Sequence, residues 1–117
     1  MSKYKKTIPG IYIIKNKINY RFYIGSSKNC LERKRSHFRE LKYGKHKNKF
    51  LLNEFNKFKT EMQITEPEEI FDFFIINYCN IKKLKNKEQY YIDKNYDNQK
   101  MCYNINDIWF CFFHYDP

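Results

Sequence analysis

The sequence predicts an α/β fold of the α+β kind, in which one domain combines a β-hairpin, one further strand and three helices. Three observations predict it. Two β-forming runs, Ile11 to Lys15 and Tyr20 to Ile24, flank the polar segment Asn16-Lys17-Ile18-Asn19 and form a hairpin. A third apolar run, Ile70 to Tyr78, stands apart from them. Three further segments carry apolar residues at helical spacing. A chain of 117 residues is long enough for one domain with a modest core.

Pro9 and Gly10 punctuate the start of the first strand, and Gly25 ends the second. A turn centred between Lys17 and Ile18 sets Tyr12 directly opposite Tyr23, with Cβ atoms roughly 5 Å apart. Ser26 to Asn29 lead into the first helix, Cys30 to Tyr43, where Asn29 and Glu32 make a capping-box-like start and Gly44 a stop. Leu31, Phe38 and Leu41 form its apolar stripe, while Arg33 and His37, four apart, share a second face. A basic loop with His46 precedes a second helix, Lys49 to about Lys59, with core positions Leu51, Leu52, Phe55 and Phe58. Thr60 to Glu69 is a connection, in which a short strand at Glu61 to Thr65 is left open. The third strand is apolar on both faces, as suits a strand covered on both sides by helices.

The last helix runs from Asn80 to about Asn95, with Leu84, Tyr91 and Ile92 as its apolar face. Glu88 falls in the middle of that face. Burying a carboxylate unpaired costs several kcal/mol, so Glu88 needs a cation, a metal or a hydrogen-bonded partner, unless the helix is rotated to bring it to the boundary. Tyr103-Asn104-Ile105 follows, then the aromatic tail 107–117 with Trp109, Phe110, Phe112, Phe113 and Tyr115. The domain is expected to span 1–106, with the tail packed on it or left over from a longer protein.

Lys and Arg number 23 against 13 Asp and Glu, a formal charge of +10. So positive a small domain expects nucleic acid as its partner, with an anionic membrane second. The four cysteines, Cys30, Cys79, Cys102 and Cys111, include no CxxC pair and fit reduced thiols better than a zinc site or a disulfide framework. No apolar stretch follows the basic N-terminus, and Ile108 to Phe113 is too short to span a bilayer. The expected setting is therefore intracellular, without a membrane.

Gly10-Ile11-Tyr12 followed by Tyr23-Ile24-Gly25 resembles the defining pair of motifs of the GIY-YIG nuclease family. Ser26, Arg33, His37, Glu88 and Tyr103-Asn104-Ile105 continue the resemblance over about residues 8 to 106, and Gly44-Lys45-His46 is similar to a basic stretch in the catalytic domains of phage and organellar intron homing endonucleases. The resemblance implies a small antiparallel three-stranded sheet flanked by helices. It also implies a metal-dependent endonuclease acting on DNA.

On that resemblance Glu88 is the metal ligand, and one carboxylate with waters and phosphate oxygens suits Mg2+ or Mn2+. Arg33 holds the scissile phosphate through its planar fork, which Lys lacks. Tyr12 is the general base, and its phenol needs nearby positive charge or a relay to lose its proton. Tyr23 orients the water or shares that proton. His37 and His46 polarise Tyr12 or serve the leaving group, and His46 alternatively contacts phosphate. Asn104 braces the site. Ser26, Lys28, Lys34, Arg35, Arg39, Lys45 and Lys47 are expected to contact the nucleic acid, with Lys42 and Lys49 on the same basic surface. Two other readings compete: a non-catalytic basic nucleic-acid-binding module that keeps the fold, and an interaction protein whose aromatic tail docks a partner.

Overall fold

The computed structural model describes residues 8–95 and 101–102. Asn104 and the tail 107–117, with Cys111, lie outside the described residues, and so does the expected domain boundary.

The elements follow in the order β1 (Gly10–Asn16), β2 (Phe22–Ser27), α1 (Cys30–Lys42), α2 (Lys49–Met62), β3 (Phe71–Tyr78) and α3 (Leu84–Lys94), with short 3-10 turns before β3 and before α3. The three strands form one antiparallel sheet in the order β2-β1-β3. Alternation along β1 sends Tyr12 and Ile14 to one face, where they pack with Phe38 and Leu41 of α1 and Leu51 and Phe55 of α2. Ile11 goes to the other face and joins Ile24, Leu84 and Ile92 in a second core under α3. The expected fold is therefore the observed one, with two helices on one face and one on the other.

The hairpin register differs from expectation. Tyr12 pairs with Gly25, and Tyr23 pairs with Ile14. The cause is Asn16, which is fully buried. Its Oδ1 accepts from the backbone N–H groups of Ile18 (2.8 Å) and Asn19 (3.3 Å), a side-chain turn that draws the reversal one residue later than predicted. Tyr20 closes the loop in the left-handed region at φ 65°. Glu54 of α2 then accepts from Asn16 and Asn19 and pairs with Arg21, fastening the turn to the helix. Because the shift is two residues, the two tyrosines stay on one face but stand diagonally.

Opposite Tyr12 there is now a residue with no side chain. A Cβ at Gly25 would overlap the Tyr12 ring and hydroxyl. Gly25 therefore does not end β2, as expected, but lies inside it. The strand runs on through Ser26 to Ser27, whose Oγ accepts from the Asn29 N–H at 3.0 Å and turns the chain into α1. Asn29 caps α1 by accepting from the Glu32 N–H, as predicted, and Gly44 follows the helix in the left-handed region at φ 72°.

Three smaller expectations are corrected. Leu31 is exposed rather than part of the α1 core stripe, which comprises Cys30, His37, Phe38 and Leu41. The second helix continues to Met62, so Glu61 to Thr65 is not a strand. Among the described residues no helix covers β3 on its second face: α3 lies over β2 and β1, and Phe74, on that side, is 48% exposed. A bulge at the Ile11/Tyr12 step of the β1–β3 ladder then turns Asn77 toward α3, where its side chain donates to the Tyr91 hydroxyl at 2.8 Å. Cys30 and Cys79 are free thiols.

Replacing Gly25 with Ala forces a methyl into the space of the Tyr12 ring, and overpacking of this kind costs about 1–3 kcal/mol. Urea unfolding of Gly25→Ala is expected to show that loss. An unchanged midpoint would mean that the ring can move aside.

Candidate active site

Tyr12 is the centre of the site. Its ring is 1% exposed and stacks on Phe73 of β3, with centroids 4.8 Å apart. Its hydroxyl points along the sheet face toward α1. There His37 Nε2 lies 2.5 Å from the phenol oxygen. Arg33, one helical turn before His37, sets its positive charge near that oxygen. Tyr23 stands edge-on to both imidazoles, with centroids 5.6 Å from His37 and 6.3 Å from His46. Tyr12, Tyr23, Arg33 and His37 therefore converge as the sequence predicted, although the tyrosines reach one another diagonally.

His46 departs from expectation. It lies in the loop before α2 but is 7% exposed, and its ring stacks on His37 with centroids 4.9 Å apart. His37 Nδ1 and His46 Nε2 are 2.7 Å apart, and the Asn48 N–H donates to His46 Nδ1 at 3.1 Å. A solvated contact with phosphate is excluded for so buried a ring. Asn48 is the residue the sequence reading missed. Its signal was present, since Asn immediately before a helix is a favoured N-cap, and its side chain accepts from the Leu51 N–H at 2.9 Å.

Glu88 reaches the site from the other face of the sheet. It is half-buried on α3 and accepts a short hydrogen bond from the Ser26 hydroxyl on β2. Ser26 thus serves Glu88. Among the described residues no ion pair neutralises this carboxylate. A carboxylate held by one hydroxyl keeps further lone pairs, and these have the donor chemistry of a hard divalent ion site completed by water and substrate oxygens. Another group, His37, Glu40 and His46, brings three ligand atoms within 4.8 Å of one another. Its two imidazole nitrogens are bonded to each other, however. A tetrahedral ion about 2.0–2.1 Å from each would hold them roughly 3.3 Å apart.

Burial raises the Tyr12 phenol well above the usual tyrosine range. Tyr23 and Glu88 push it the same way, and Arg33 opposes them. Burial lowers His37 to about 3, with His46 and Arg33 adding to the effect. His46 is lowered as well, chiefly by burial, with Glu40 opposing. At neutral pH the site therefore holds a protonated phenol, two neutral imidazoles and a guanidinium.

Arg35 stands about 200° round α1 from Arg33. With Lys34, Arg39 and Lys42 it lines a groove of about 500 Å³ that faces Glu66 and Glu68, and Lys42 pairs with Glu66 at 3.0 Å. Lys28 lies at the β2–α1 junction, and Lys45 and Lys47 flank His46; all three are exposed.

Comparison with known proteins places this geometry. Residues 8–104 match the model of the GIY-YIG catalytic domain, and the chain belongs to that family. It is 39% identical over 61 residues to intron-associated endonuclease 1 of Enterobacteria phage T4, and the match spans 52% of this chain and 25% of that relative. The fold is similar to the catalytic domain of the homing endonuclease I-TevI, with TM-score 0.61, 27% identity and coverage of 74% of this chain and 86% of the other. It is also similar to a glutamate-to-alanine variant of that domain, with TM-score 0.68, 27% identity and coverage of 86% and 96%. The domain is thus related to the catalytic domain of a homing endonuclease, and it spans a quarter of the curated relative. No helix among the described residues is long and apolar enough to cross a membrane.

The depressed His37 value has a consequence for stability. The unfolded imidazole takes up a proton near pH 6.5, whereas the folded one resists until about 3. Its stabilising contribution is therefore complete above pH 6.5 and is lost as the pH falls through that window. Unfolding midpoints of wild type and His37→Gln are expected to converge as the pH falls from 7 to 4. Parallel profiles would show that His37 titrates normally in the fold.

Proposed function

We propose that this domain is a DNA endonuclease that hydrolyses phosphodiester bonds with one divalent cation, Mg2+ or Mn2+. The observation that carries this reading is the Tyr12 hydroxyl. It is buried, it meets His37, and it lies close enough to Arg33 and Glu88 for both charges to act on it. These groups come from a strand and two helices on opposite faces of the sheet. Such convergence of a phenol, a guanidinium and a carboxylate is what phosphodiester hydrolysis needs, and packing alone does not call for it.

Glu88 would hold the cation, oriented by Ser26. When bound, the cation supplies charge that stabilises the phosphate and favours ionisation of Tyr12. Tyr12, as phenolate, takes a proton from the attacking water while the water oxygen bonds to phosphorus. The bond from phosphorus to the leaving sugar oxygen breaks, and that oxygen leaves with a proton from solvent. Arg33 has five N–H donors, enough to hold the phosphate and Tyr12 together. Tyr23 positions the water. Lys28, Lys45 and Lys47 stand where flanking phosphates would pass, and Lys34, Arg35 and Arg39 extend the positive field. Asn104 keeps its proposed role as a brace. Kinship with a homing-endonuclease catalytic domain supports a DNA substrate delivered by a separate targeting element.

Plasmid nicking tests the proposal. Mg2+-dependent cleavage is expected in the wild type and none in EDTA. Arg33→Ala and Glu88→Ala are each expected to lose about 100-fold or more of the rate with unchanged circular dichroism. Full Mg2+-dependent cleavage by Glu88→Ala would sink the assignment of the cation ligand. Salt-sensitive binding without cleavage in the wild type would favour a non-catalytic binding module.

A further inference from the structure

The hydrogen-bond chain behind Tyr12 ends on a group that can only donate. The Asn48 N–H faces His46 Nδ1 at 3.1 Å, so that nitrogen must offer a lone pair. A proton on it would set donor against donor. His46 therefore carries its hydrogen on Nε2 and gives it to His37 Nδ1, 2.7 Å away. His37 Nδ1 is then an acceptor, and the single hydrogen of this neutral ring sits on Nε2, facing the Tyr12 oxygen.

The start of this chain is well held. Asn48 has φ −79° and ψ 110°, and its side chain accepts from the Leu51 N–H as the N-cap of α2. The amide direction is therefore set by a helix start. The stacked rings, tilted by only 26°, keep the two imidazoles from turning independently. Among the described residues the ionisable groups around the pair, besides Tyr12, are Arg33, Tyr23 and Glu40; Glu40 acts on His46 through its charge, and the Asn48 N–H is the group that meets His46 Nδ1.

We propose that Asn48 and His46 are positioning residues that lock His37 as a donor to Tyr12, so that His37 can never take the Tyr12 proton. The His37 Nε2–H then points at the phenol oxygen, and the Arg33 charge lies near it. They stabilise a phenolate, and the hydroxyl hydrogen has to point away from both. Tyr12 therefore gives its proton to a group other than His37 and takes one from the attacking water. The proposal rests on reading Tyr12 as the proton acceptor in hydrolysis, but its first test does not.

Nitrogen-15 spectra of the imidazoles in the intact chain at neutral pH read the tautomers directly. His37 and His46 are each expected to show a bare Nδ1 and a protonated Nε2. A protonated Nδ1 on either ring overturns the proposal, whether or not the protein cuts DNA. Failure to cut, with these tautomers present, would instead count against the nuclease reading. A second arm compares Asn48→Ala with Asn48→Pro. Both lose the side-chain cap, but only Pro loses the N–H, and φ −79° suits its ring. Asn48→Ala is expected to keep the wild-type tautomers. Asn48→Pro is expected to redistribute them and to nick plasmid about tenfold more slowly than Asn48→Ala. Identical spectra and rates for the two variants would overturn the role of the amide.

Discussion

A tyrosine ring buried on a sheet brings a hydroxyl with it, and a hydroxyl shut away from water costs on the order of 1–3 kcal/mol if nothing meets it. In this domain that requirement organises the surroundings of Tyr12. The ring fits because Gly25 leaves the facing position on β2 empty. The oxygen is met because α1 crosses the same face with Arg33 and His37 one turn apart, while Phe38 and Leu41 of that helix fill the core. His37, itself buried, must also be satisfied, and this need draws in His46 and through it the start of α2. Each buried polar group hands the same demand to the next until a backbone amide ends the series.

Much of this was legible in the residues and some was not, for identifiable reasons. The strands and helices follow from apolar spacing and caps, and Asn29 does what its position before Cys30 suggests. The two tyrosines sit on one face because strand alternation survives any even shift in register. The size of that shift depended on one side chain, Asn16, whose local turn is fastened by a distant residue, Glu54 of α2. The exposure of Leu31 and the stacking of His46 were hidden for a related reason. Periodicity gives the faces of a helix but not how far a neighbour reaches over them, and loop position does not reveal that a ring is stacked beneath a helix. Glu88 was flagged as a carboxylate needing a partner, but Ser26 was not identifiable as that partner because strand and helix are 62 residues apart.

The site forms at an edge of the sheet for a geometric reason. Tyr12 and Arg33 belong to the α1 side and Glu88 to the α3 side. Through the middle of a sheet these groups would be screened from one another by backbone and packed side chains. β2 is the outer strand of the three-stranded sheet, bridged at Phe22 to Cys102, with Ser26 turned to one side and Gly25 to the other. Thin layers and a short edge allow a domain this small to assemble chemistry from both sides of its core.

The emptiness at Gly25 has a reciprocal meaning. Lock and key here belong to one chain, and the volume withheld from one strand is the volume occupied by its neighbour. The two triplets are therefore not independent words that happen to occur together. A descendant that gave up the ring at Tyr12 would release the constraint on position 25, and a side chain arriving there first would be selected against until the ring had gone. Gain and loss of the phenol should thus leave a trace on the second strand, so that position 25 records the history of position 12.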